Sequence, residues 1–172
     1  MRKIICLATC IGVQSFLLLA PALAQAPSRT QVQIGPSETS QVINRASRDI
    51  RAQQRLWTGQ RLRDYRYVLE VSCFCAEEVR QPVVIEVRDG IPTSYTYEST
   101  GQPANPTYFE NYSTVPKLFN LVRAALYRNP NSLNVQFNPE FGYPTQITID
   151  YSAMMADEEI YLTIRDLQPL QQ

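Results

Sequence analysis

The sequence predicts an α+β domain: a mainly antiparallel sheet of about six strands, with a leading helix and a central helix packed on one face. Three observations predict it. Apolar residues recur at intervals of three and four in two separate stretches, which is the helical period. Elsewhere apolar and polar residues alternate, which is the period of a half-buried strand. Short turn sequences join the alternating runs, so neighbouring strands run antiparallel. The order is helix, three strands, helix, three strands. A chain of 172 residues, 44% of them hydrophobic, suffices for one domain with its own core.

The N-terminus reads as an address. Arg2 and Lys3 precede an uncharged apolar run from Ile4 to Leu19, and Ala22-Leu23-Ala24 forms a small-x-small cleavage site before Gln25. Residues 1–24 are therefore expected to be a secretory signal peptide, which makes the mature protein secreted or periplasmic. A membrane anchor needs a longer run, and Pro21 follows this one at once. A lipoprotein cut at Cys10 fits Thr9 poorly and would leave most of the apolar run attached. No transmembrane segment is expected after cleavage. Residues 25–36 hold little hydrophobicity beyond Val32 and Ile34 and read as a flexible leader. A single domain is expected over 37–168, with a tail at 169–172.

The first helix is expected from Ser37, with Val42, Ile43, Ala46, Ile50, Gln53 and Trp57 on one face and Gly59 as its stop. Its other face carries Arg45, Arg48, Arg51 and Arg55. Alternation then places Tyr65, Tyr67, Leu69, Val71, Cys73 and Cys75 on the buried side of a strand. Val83, Ile85 and Val87 mark a second strand, and Ile91, Thr93, Tyr95 and Tyr97 a third. Asp89-Gly90 joins these two. A two-residue turn would set Val87 against Pro92 and mismatch the faces. A three-residue loop of Arg88-Asp89-Gly90, pairing Val87 with Ile91, is therefore expected. Residues 99–114 read as a loop from their Gly, Pro, Asn and Ser content. Val115, Leu118, Phe119, Val122, Ala125 and Leu126 form the apolar stripe of the central helix, opened by Pro116 and ended by Asn129-Pro130. Leu133, Val135 and Phe137, then Thr145, Ile147, Ile149 and Tyr151, then Ile160, Leu162 and Ile164 give the last three strands.

Composition limits the chemistry. There is no histidine, which excludes Ser-His-Asp and Cys-His machinery and His-ligated zinc or haem. Sixteen basic residues face sixteen acidic ones, so a general nucleic-acid partner is not expected. Removing residues 1–24 takes away Cys6, Cys10, Arg2 and Lys3. It leaves Cys73 and Cys75, 14 basic residues against 16 acidic, and Lys117 as the only lysine. The charges are segregated: residues 41–66 hold seven arginines and two acids, and residues 98–172 hold four bases and eight acids.

Several strings occur together: Tyr65-Arg66-Tyr67 leading to Cys73-Phe74-Cys75, Val87-Arg88-Asp89-Gly90, Phe141-Gly142-Tyr143-Pro144, Ile149-Asp150-Tyr151, and Ala156-Asp157-Glu158-Glu159. In this combination the chain resembles a family of exported bacterial proteins, domain of unknown function 6174, over roughly residues 50–166. The resemblance implies bacterial export and one compact domain. It carries no activity onto any residue.

Three constellations remain as candidates. In extended backbone, Cys73 and Cys75 would stand about 6.5–7 Å apart at Cα, the outer limit for a disulfide, so a bond requires the strand to bend. A loop this small adds only about 1.6 kcal/mol in the chain-entropy model, against about 3 for a 15-residue loop. The pair reads as structural, with a thiol–disulfide redox protein and a soft-metal site as alternatives. Asp150, Asp157, Glu158 and Glu159 offer hard oxygens, so a calcium-binding module is the second alternative; a solvated acidic turn is the plainer reading. All ten tyrosines lie at or after Tyr65, and Tyr108, Tyr112 and Tyr143 fall in loops, where a polar-tipped ring suits a binding surface. With Arg48, Arg51 and Arg55 they are the binding candidates. The expectation is a non-enzymatic domain with a binding or envelope-associated structural role and an unknown protein or small-molecule partner. No cofactor is implied beyond the calcium alternative.

Overall fold

In the computed structural model, residues 30–35, 40–154 and 159–171 are described. The expected signal peptide, Asp157 and Glu158 lie outside them. The fold is α+β, with seven strands where about six were expected. The elements are β1 (Gln31–Ile34), α1 (Ser40–Gly59), β2 (Tyr65–Ser72), α2 (Glu77–Arg80), β3 (Val83–Arg88), β4 (Ile91–Tyr97), α3 (Val115–Tyr127), β5 (Ser132–Phe137), β6 (Pro144–Asp150) and β7 (Ile160–Pro169). All strand pairs are antiparallel, in the order β1-β5-β6-β7-β2-β3-β4. Two three-strand meanders thus meet at the β7–β2 pair, and α3 carries the chain from the β4 edge back to β5.

The extra strand comes from the segment expected to be a flexible leader. Val32 and Ile34 are 3% and 2% exposed, and the strand pairs with β5 in the register Val32↔Val135. Four residues with two apolar side chains carry too little local signal to be read as a strand. Burial against a partner about a hundred residues away makes one.

The helices form for the expected reasons. Ala46, Ile50 and Trp57 of α1 are buried, while Arg45, Arg48, Arg51 and Arg55 are exposed. All six residues of the α3 stripe are buried. Thr114 caps α3 by accepting the Lys117 N–H, and Asn129, at φ 53°, turns the chain out of it ahead of Pro130. Both helices join the inward face of the sheet in one core, whose strand side includes Tyr65, Tyr67, Leu69, Ile85, Val135, Phe137, Ile147 and Leu162. Gly142 is required where β5 turns into β6. Its φ is 78°, and a Cβ there would sit 2.6 Å from the Gln53 carbonyl of α1.

The β3–β4 turn differs from expectation. Asp89 and Gly90 both have positive φ, 51° and 78°, and form a two-residue turn with Arg88↔Ile91 and Val87↔Pro92 paired. The faces are reconciled one step later. The register shifts at Glu86/Val87, leaving Thr93 as the extra residue, and Tyr95 and Tyr97 fall opposite Ile85 and Val83. Ile91 is consequently 64% exposed. The turn is also tied down from outside the hairpin. The Asp89 N–H donates to Asp64 Oδ1 at 2.8 Å, and the Gly90 N–H donates to the Arg63 carbonyl at 2.9 Å.

Candidate functional site

The β4 edge is sealed along only part of its length. Residues 102–104 lie against it: the Tyr97 N–H donates to the Gln102 carbonyl and the Ala104 N–H to the Tyr95 carbonyl, both at 2.9 Å. The chain then leaves the edge. Asn105 Oδ1 accepts the Thr107 N–H and caps a 3₁₀ turn at Pro106–Tyr108. Phe109 anchors this loop; it is fully buried and stacked on Tyr95 with ring centroids 6.5 Å apart. A second 3₁₀ turn, Glu110–Tyr112, leads through Ser113 to the Thr114 cap of α3.

This path leaves a cleft of about 730 Å³ between the Pro92–Thr96 stretch of β4, the Pro103–Thr107 stretch of the loop, Glu110 and Lys117. The volume is within the range of small-molecule sites. Thr93, Ser94 and Thr96 supply hydroxyls along its β4 wall, and three prolines and Ala104 supply apolar surface. Pro92 also removes a donor from the edge, which opposes addition of another strand there.

Lys117 is the one basic residue in the lining of the cleft. Its ammonium donates to the Glu110 carbonyl at 2.7 Å and to Ser113 Oγ at 3.0 Å; Ser113 is itself fully buried and donates to the same carbonyl at 2.8 Å. Both acceptors are neutral. Among the described residues no carboxylate oxygen lies within 4.0 Å of the ammonium. The seat of Lys117 is fixed from below by the two core tyrosines. Tyr65 accepts the buried Val115 N–H at 3.1 Å, and Tyr67 donates to the Tyr112 carbonyl. Burial pushes the Tyr65 phenol up to about 12 and the Tyr67 phenol well above its ordinary range, so both keep their protons at neutral pH.

The residues singled out in the sequence do not converge. The strand carrying the cysteines ends at Ser72, before either of them, and Cys73-Phe74-Cys75 is a bend held by a disulfide at a Cα separation of 5.3 Å. Both cysteines are half-buried rather than on a buried strand face, and Phe74 between them is 84% exposed. The bend lies at the same end of the sheet as the β6–β7 connection, since Ser72 and Thr148 both pair with Tyr161, and there Asp150 is engaged by protein groups: Oδ2 accepts Asn131 Nδ2 and Oδ1 accepts the Ser152 N–H. Glu159 accepts the Tyr161 hydroxyl at 3.3 Å. Among the described residues no cluster of three metal-ligating side chains occurs.

Arg48, Arg51 and Arg55 lie along the exposed face of α1. Tyr108 is 43% exposed beside the cleft, and Tyr112 is packed against the core. Tyr143, a binding candidate from its loop position, is a core residue at 6% exposure, edge-on to Trp57 at 6.2 Å. Lys117 and the β4 hydroxyls were not candidates in the sequence. The signal that pointed to Lys117 was its standing as the only lysine after residue 24, among arginines.

On the sheet face away from the helices, Arg165 of β7 gathers three carboxylates: Glu70 at 2.7 Å, Glu98 at 2.5 Å and Asp166 at 2.7 Å. The guanidinium holds the Glu98 carboxyl below its usual range. Among the described residues no helix is long and apolar enough to cross a membrane. No curated protein and no solved structure matches the chain. A family model does match, over residues 49–169, which takes in every strand from β2 to β7 and the whole of the cleft, so the chain belongs to the family of unknown function DUF6174.

Proposed function

We propose that this protein is a non-enzymatic binding domain that works outside the cytoplasm and holds its ligand in the cleft between β4, the 103–110 loop and Lys117. The cleft carries the reading: it is a concave surface of ligand size, lined by hydroxyls and prolines with Lys117 as its one basic residue. Export is supported by the basic, apolar and small-residue order of residues 1–24 and by a disulfide, which persists in oxidising compartments. The test is an amide-resonance titration of the chain freed of residues 1–24, which keeps every described residue. The probes are small organic acids, monosaccharides and short peptides. Saturable shifts confined to residues 92–96, 103–110 and 117 are expected. Shifts clustered instead around residues 73–75 and 161 would overturn it, as would turnover of a probe.

A second reading, a thiol–disulfide redox protein, is favoured by the position of the Cys73–Cys75 bond at a bend beside an exposed phenylalanine. The three-residue ring contributes little chain-entropy stabilisation, about 1.6 kcal/mol, so in that model opening the bond costs the fold little. A thiol titration in redox buffers decides it. A potential below about −300 mV marks an inert structural bond and removes this reading.

A further inference from the structure

Resting on the cleft as a binding site, we infer that its ligand is a monocarboxylate on an apolar body, held by the Lys117 ammonium. An ammonium has three protons, and two of Lys117's are taken by the Glu110 carbonyl and Ser113 Oγ. Both bonds point the group from fixed, neutral acceptors, so its positive charge is positioned without being cancelled. Among the described residues no carboxylate approaches within 4.0 Å. A half-buried cation in this state is completed by an anion that brings one oxygen to the remaining proton.

The helix itself offers that anion little. The first-turn donors of α3 are committed, with the Val115 N–H on Tyr65 and the Lys117 N–H on Thr114, and Pro116 has none. Recognition therefore falls to the ammonium. The lining also contains Glu110, so the cleft carries one positive and one negative side chain and no excess charge to hold a phosphate dianion. One charge-assisted bond from Lys117, with prolines and Ala104 also in the lining, fits a carboxylate with a short apolar continuation. Arginine would not serve in this seat. Its planar fork matches bidentate partners, whereas the carbonyl and hydroxyl here converge on one nitrogen.

Free organic acids and peptide C-termini share this chemistry, and the probes separate them. Phenylacetate is compared with phenylacetamide, and an acetylated Ala-Pro-Ala peptide with its C-terminal amide. The chain freed of residues 1–24 has one lysine, so the side-chain ¹⁵Nζ and ¹³Cε resonances report on Lys117 without assignment and without substitution. The expected result is binding of at least one acid at least tenfold tighter than its amide, with a shift of the lysine resonances. The preference falls as salt rises and is lost in Lys117→Gln, whose neutral amide still has donors for both native acceptors. If acid and amide bind the cleft equally, or Lys117→Gln keeps the preference, the carboxylate inference is overturned while the cleft stands as a binding site. If no probe moves any cleft resonance, both fail.

Discussion

Arg165 and Lys117 are two cations in different places, one on the central strand β7 and the other on α3 in the lining of the cleft beside β4, and they are treated in opposite ways. Arg165 is neutralised by its own chain: three carboxylates surround it, drawn from β2, from the residue after β4, and from β7 itself. Lys117 is oriented by a carbonyl and a hydroxyl and keeps its charge. The difference teaches which charge is structural. A guanidinium neutralised by its own chain ties strands together, with four of its five N–H donors taken by carboxylates. An ammonium on a residue that lines a cleft, hydrogen-bonded to neutral acceptors, is an arrangement suited to recognition.

The comparison breaks most completely if the anchor of the cleft loop is removed. Phe109→Ala deletes a fully buried ring that pins the cleft loop to Tyr95, and a loss of about 3–5 kcal/mol is expected in urea unfolding. Side-chain resonances of Arg165 in the folded variant should be unchanged, since its partners lie on other elements. Tyr65→Phe is expected to cost about 1–3 kcal/mol, because it leaves the buried Val115 N–H without an acceptor. The same melts should show the Lys117 resonances shifting, as α3 starts at that bond. Lys117→Gln is a smaller perturbation, about 1 kcal/mol, since it exchanges charged for neutral donors to the same two acceptors.

The smallest effect belongs to the Arg165 group, which is more than a third exposed on its carboxylate side and screened by solvent. Its signature is pH dependence. The Glu98 carboxyl is lowered in the folded state, so its contribution to stability is present above the unfolded carboxylate range and is lost as pH falls through the folded value. Glu98→Gln and the parent chain should therefore differ at neutral pH and converge in acid. Parallel melting curves from pH 7 down to 2 would contradict this pairing.

Much of the fold was legible from periodicity. The α3 stripe was readable because its signals are local: six apolar positions at helical spacing, a proline in the first turn and Asn-Pro at the end. The β2 alternation was readable for the same reason, up to Ser72. Past that point parity misled, because the bond between Cys73 and Cys75 bends the chain where alternation alone continues the strand. The β3–β4 turn misled in another way. The choice between turns was made on matching faces at Val87, whereas Asp89-Gly90 takes the tight turn and a bulge at Thr93 absorbs the mismatch. Of the candidate site, the loop 99–114 was visible as a loop, and Lys117 was visible as a lone lysine. Their meeting with β4 was not, since Thr93 and Lys117 are joined by no local pattern.

The sequence alone determined the class of fold, the two long helices, six of the strands and the proximity of the two cysteines. These follow from side-chain period and covalent spacing, which act over a few residues. Tertiary structure decided the rest. It recruited Gln31–Ile34 as a seventh strand against β5, set β2 beside β7 at the centre of the sheet, and brought Glu70 and Glu98 to Arg165 across separations of 95 and 67 residues. It also set the Lys117 ammonium against two neutral acceptors in the lining of a cleft. Such outcomes depend on which distant surfaces bury one another, and burial is a property of the assembled core rather than of any window of sequence.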